Sequence, residues 1–198
     1  MRERPILFSA PMARAILDGS KTQTRRIVKP QPEQIDGPVI EWCHPRSGCI
    51  AAETISELVQ FCPYGAPGDR LWVRETWREN AQAGIDYRAD TGSYGPADGS
   101  ADAESVHWRP SIFMPRAASR ISLEITGVRV ERVQDISEDD ARAEGVAPYV
   151  WTENGRAGAT MPATEVFAEL WDKINGKRAP WESNPWVWVV EFKRALAR

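Results

Sequence analysis

Apolar and polar positions alternate along this chain in a way that divides it into short strands and small amphipathic helices. Ile6, Leu7 and Phe8 form a compact apolar run, and residues 4–8 are predicted as a strand. Pro11 suits a first helical turn, Met12, Ala15 and Ile16 share one helical face, and Gly19 closes the pattern, which predicts a helix over 11–18. The polar, β-branched and basic segment that follows is expected to turn sharply at Gly19 and run on extended. Leu71-Trp72-Val73 comes after the turn signal Pro67-Gly68-Asp69 and predicts a buried strand. Between 119 and 133, Ile121, Leu123, Ile125, Val128, Val130 and Val133 keep a period near two, with a phase change at Gly127 that predicts a bulge or bend. Ser137 as N-cap, an acidic first turn at Asp140 and a stop at Gly145 predict a further helix. Val166, Phe167, Leu170, Trp171 and Ile174 share the apolar face of a helix over 163–175, and 186–192 reads as a final strand.

Strands separated by short helices, without βαβ regularity, indicate an α+β fold: a small β-barrel with short flanking helices and long loop insertions. A length of 198 residues fits one domain spanning 1–198. Six prolines and four glycines between 29 and 68 read as a loop-rich insertion at about 29–66. A second insertion covers about 78–118, and its small, polar stretch at 82–104 is expected to be a mobile loop near the site. The net charge of −3 argues against a general duplex-DNA binder, which concentrates surplus Lys and Arg on one surface. With no apolar run long enough for a bilayer and no basic-then-apolar start, the expectation is a cytoplasmic protein with no membrane partner. Three cysteines in such a chain suggest free thiols in a reducing compartment. The absence of a heptad pattern makes a monomer the default.

Chemistry concentrates in a few places. Lys21 and Thr24 could pair an amine base with a hydroxyl nucleophile, provided burial or the adjacent Arg25 and Arg26 lower the lysine pKa. Residues three apart lie on opposite faces of a regular strand, so the turn after Gly19 would have to bring them together. The competing reading is a solvated basic strand. Glu144, near a helix end, either points into the barrel mouth or is a solvated helix residue. Arg74, Glu75 and Trp77 follow a buried strand. Glu75 could accept from a cytosine-type amino group and Trp77 could stack on a base, or the two are a strand-end ion pair and a packed indole. Cys43, His44, Cys49 and Cys62 lack the spacings of a zinc site, so neither metal nor cofactor is expected.

The run Gly19-Ser20-Lys21-Thr22-Gln23-Thr24-Arg25-Arg26 resembles the Gly-x-Lys-Thr-x-Thr-x-Arg signature of ASCH domains, a PUA-like superfamily. The blocks 68–71, 136–144 and 187–193 agree with that family in order, and Cys62-Pro63-Tyr64-Gly65 with 68–77 resembles its longer phage and prophage members. The resemblance implies a PUA-like barrel and, as in the YqfB-type amidohydrolases, hydrolysis of N4-acylated cytidine-like nucleosides without metal. On that pattern Lys21 is the general base, Thr24 the nucleophile and Glu144 the acid, while Arg26 binds substrate or holds Glu144. The partner would be a nucleoside or modified base, possibly RNA. A non-catalytic RNA or modified-base reader and a ribonuclease are the alternatives that the superfamily also offers.

Overall fold

The computed structural model describes residues 1–36, 39–44, 48–80, 84–91, 107–153 and 156–195. In chain order these form β1 (Glu3–Leu7), α1 (Ala10–Asp18), β2 (Gln23–Ile27), β3 (Glu33–Asp36), β4 (Val39–His44) and β5 (Gly48–Ala52). A 3₁₀ segment at Ile55–Phe61 leads to β6 (Arg70–Arg74), β7 (Trp77–Asn80), β8 (Gly84–Tyr87), β9 (Ser122–Arg132) and α2 (Glu138–Ala143). The remainder is β10 (Tyr149–Glu153), β11 (Arg156–Met161), α3 (Ala163–Asn175) and β12 (Trp186–Arg194). The main sheet has the order β1-β6-β9-β12-β2, parallel only between β1 and β6.

β12 shows why this sheet is the centre of the molecule. Trp188, Val190 and Phe192 enter the larger core with Ile6, Leu71 and Leu123, while Val187 and Val189 face a second core with Phe167 and Trp171 of α3. A strand with both faces covered must be apolar at successive positions, as 186–190 is. The change of phase at Gly127 is a bulge, because Gly127 pairs with Glu191 whereas Ile125 pairs with Phe192. A Cβ at Gly127 would lie 2.5 Å from a Glu191 carboxylate oxygen, the outer end of an exposed side chain that can turn aside.

Local capping sets the helices. Gly19 ends α1 with φ +86°, a left-handed conformation that glycine adopts without steric cost. The Ser137 hydroxyl accepts from Asp140 N at 3.1 Å and starts α2. Pro162 cannot cap α3 with a side chain, and Glu138 of α2 does so, accepting from Ala163 N and Thr164 N at 3.1 and 3.0 Å. That carboxylate therefore fixes α3 against α2.

Four expectations need correction. Among the described residues the main sheet is open, with β1 and β2 as its edges, rather than closed into a barrel. The segment read as a loop-rich insertion holds the three-stranded antiparallel sheet β3-β4-β5, and Trp42, Ala52 and Leu58 enter the main core from it. Residues 84–87 of the presumed mobile loop pair with β7, while 82–83 and 92–104 lie outside the described residues. Cys43 and Cys49 face each other across β4 and β5 and form a disulfide, leaving Cys62 as the free, buried cysteine. Their hairpin register brings the two side chains together, which cysteine counting could not foresee. No helix among the described residues is long and apolar enough to cross a membrane.

Two outcomes follow. Denatured without reductant, the chain should react with one equivalent of a thiol reagent at Cys62, and with three after reduction. Gly145 has φ +83°, and an added Cβ would meet Ala15 Cβ at 3.0 Å and Lys21 Cβ at 3.1 Å. Gly145→Ala should cost about 2–4 kcal/mol of stability in urea unfolding, combining backbone strain with crowding.

Candidate functional site

A cavity of about 740 Å³ opens between the two edge strands of the main sheet and the C-terminal half of α3. Lys21, Thr24 and Glu144 all line it, despite the 123 residues separating the first from the last. Lys21 lies outside regular β2. Its backbone N donates to Ala15 O at 2.9 Å, Thr22 N donates to Ala143 O at 2.8 Å, and Lys21 and Glu144 make a single antiparallel bridge. The turn after Gly19 thus meets the end of α2, and the two side chains meet with it.

Each of the three is almost fully enclosed, Lys21 being 3% exposed and Thr24 and Glu144 4%. The Lys21 Nζ donates to Glu144 Oε2 and to Glu144 O, both at 2.7 Å. Burial pushes the Lys21 pKa below the ordinary 10.5; the Glu144 charge works in the opposite direction, and Arg26 and Arg25 add to the lowering. The Thr24 side chain makes no hydrogen bond among the described residues, so its hydroxyl is uncommitted.

Arg25 holds the site from below, and sequence reasoning gave it too small a part. Its side chain is 1% exposed and forms ion pairs with Glu131, with Asp140 at 3.0 Å and with Glu144 at 3.3 Å. Arg129 bonds the same Glu131 and Asp140, each at 2.8 Å. Burial raises the Asp140 pKa, but Arg129 and Arg25 outweigh it and hold that carboxyl below its ordinary value. A signal was present in the alternation of Arg129 and Glu131, two polar residues on one face of a strand otherwise built for a core.

Arg26 was expected to bind substrate or to hold Glu144; Arg25 performs the second task. Arg26 instead lines the cavity, donates from Nη2 to Leu7 O at 2.6 Å and lies 5.1 Å from the Phe8 ring centre. Arg74, Glu75 and Trp77 do not line the cavity. Glu75 is 1% exposed and accepts from two nitrogens of Arg120 at 3.0 and 3.2 Å, which occupies the acceptor capacity imagined for a base. Trp77 packs with Met114 and Ala118, and Arg109 covers its ring at 5.0 Å. Arg74 stacks over Trp72 and donates to Ile112 O. The ion-pair and packed-indole reading of this segment is the one the geometry supports. Walls that sequence did not single out include Phe8, Trp42, Tyr64 and Trp188.

Elsewhere, Glu41, Cys43 and Cys49 are the one group of possible metal ligands among the described residues, their ligand atoms lying within 4.8 Å of one another. The bond between the two sulfurs removes the thiolates that a soft metal would need.

No family model and no curated protein matches this chain. A solved structure described as the high resolution crystal structure of an ASCH domain from Lactobacillus crispatus JV V101 overlays 98% of this chain and 79% of that one, at 12% identity and a TM-score of 0.46.

Arg25→Met would leave three carboxylates short of their shared cation. We expect a loss of about 3–5 kcal/mol in chemical denaturation near neutral pH. The Asp140 share of stability is fully present above its ordinary value of 3.8 and lost as pH falls through its depressed folded value. In the variant that acid-dependent share should shrink, flattening stability against pH below about 4. An unchanged profile would show that the network does not stabilise the fold.

Proposed function

We propose that this protein is an ASCH-type, metal-independent amidohydrolase that removes the acyl group from N4-acylated cytidine-like nucleosides. The observation that carries the reading is a buried lysine, its pKa lowered by burial, facing the same cavity as an uncommitted threonine hydroxyl and a carboxylate 2.7 Å from the lysine nitrogen. The ordered motif blocks of the sequence support the same assignment.

The neutral Lys21 amine takes the Thr24 hydroxyl proton, and the Thr24 oxygen attacks the acyl carbon. As the carbon–N4 bond breaks, the proton passes from Lys21 through Glu144 to the departing amine, so cytidine leaves and an acyl-threonine ester remains. Water then attacks the ester with Lys21 again accepting a proton, which releases the carboxylic acid and restores the threonine. Arg25 Nη1 lies 3.3 Å from the other Glu144 carboxylate oxygen.

A second reading, a non-catalytic nucleoside or RNA reader, is favoured by one feature: Lys21 already satisfies two acceptors of Glu144, as a structural cation would. Variants at Lys21 separate the two. With N4-acetylcytidine as substrate, followed by its absorbance change, Lys21→Arg and Thr24→Val should each lower kcat/KM by about 10²–10⁴-fold. The wild-type rate should rise with pH through an ionisation below the ordinary lysine value. Near-normal hydrolysis by Lys21→Arg would remove the general-base role, since a guanidinium stays protonated. Ligand affinity retained in that variant, with no turnover in either protein, would favour the reader.

A further inference from the structure

The cavity is more cationic than the chemistry requires. Five cationic side chains line it, Lys21, Arg25, Arg26, Lys29 and Arg178, against the single carboxylate of Glu144. Glu144 engages Lys21 and Arg25, and Arg25 also binds Glu131 and Asp140. Arg26, Lys29 and Arg178 have no carboxylate partner among the described residues. They differ in exposure as well: Lys21, Thr24 and Glu144 are buried, Arg26 is half-buried, and Lys29 and Arg178 are exposed. Cations that line one cavity without counter-charges repel one another, and an anion among them relieves that cost.

Aromatic rings share the buried part with Lys21, Arg25 and Glu144. Phe8, Trp42, Tyr64 and Trp188 supply flat apolar walls near the buried polar groups. A ligand that matches this gradient is aromatic and uncharged at its inner end and anionic at its outer end. We infer that the substrate is phosphorylated: the cavity takes a pyrimidine mononucleotide, base inward, with its phosphate held by Arg26, Lys29 and Arg178. Arg26 is oriented for this by its bond to Leu7 O and its stacking on Phe8, which leave Nη1 without a partner among the described residues. A mononucleotide is favoured over a nucleic-acid strand because the chain carries a net charge of −3, and a strand would need a track of neutralising charge beyond these three cations.

This inference takes the identity of the base from the proposed function, but the phosphate contact does not depend on any reaction. Its test is therefore binding. Calorimetric titration at about 0.15 M salt should show cytidine 5′-monophosphate binding at least about tenfold more tightly than cytidine, with the advantage falling as salt is raised. Arg178→Gln and Lys29→Gln should each reduce the ratio of the two affinities several-fold, and together bring it close to one. Lys177→Gln, which removes a neighbouring charge that does not line the cavity, should keep the ratio. Equal affinities in the unsubstituted protein, a ratio unmoved by the double substitution, or no binding of either compound would overturn the inference. Affinity that grows steadily with oligocytidylate length would overturn the mononucleotide and point to a strand. Deacylation of N4-acetylcytidine with equal affinities defeats the phosphate alone; a large affinity ratio with no deacylation defeats the amidohydrolase alone.

Discussion

The Glu144 carboxylate is the constraint on which the site depends. It belongs to the residue that ends α2, meets the ammonium of Lys21 on one side and the guanidinium of Arg25 on the other, and is almost wholly shielded from water. Isolated, any of these charges would be too costly to bury; together they satisfy one another. The two cations come from the turn before β2 and from β2 itself, so one carboxylate pins an edge strand to a helix far away in sequence. Arg129 and Glu131 extend the network into β9, the middle strand of the five.

Much of this architecture was legible because the sheet demands it. β12 has to be apolar on both faces, and the run from Trp186 to Phe192 announces that directly; the acidic start of α2 and the apolar face of α3 are equally plain. Lys21, Thr24 and Glu144 were singled out through motif order; that Lys21 touches Glu144 and that Thr24 lines the same cavity could not have come from spacing, since it depends on Lys21 leaving the strand before β2 begins. Arg74, Glu75 and Trp77 illustrate the opposite case. A charged and aromatic segment at a strand end looks like a binding surface until the partner is known, and here Arg120, distant in sequence, closes it off. The Cys43–Cys49 hairpin was obscured in the same way, its weak periodicity and prolines hiding a register that only the folded chain displays.

Placement of the aromatic residues follows a related logic. Trp188 is buried deep in the core with Trp42 set edge-on against it, while Trp186 at the strand end carries Arg132 over its ring at 4.2 Å. The abundance of tryptophan thus serves packing and cavity wall together, the same rings filling the core on one side and shaping a concave surface on the other.

The open sheet gives the cavity a mechanical property that a sealed barrel would not have. Its two edge strands are tied across the gap by a side chain, Arg26 reaching the carbonyl of Leu7, instead of by a ladder of backbone bonds. A closed barrel would join these edges by several ladder bonds, whereas among the described residues one guanidinium and one carbonyl bridge them. The one guanidinium that bridges the two edges therefore belongs to a residue that also lines the cavity between them.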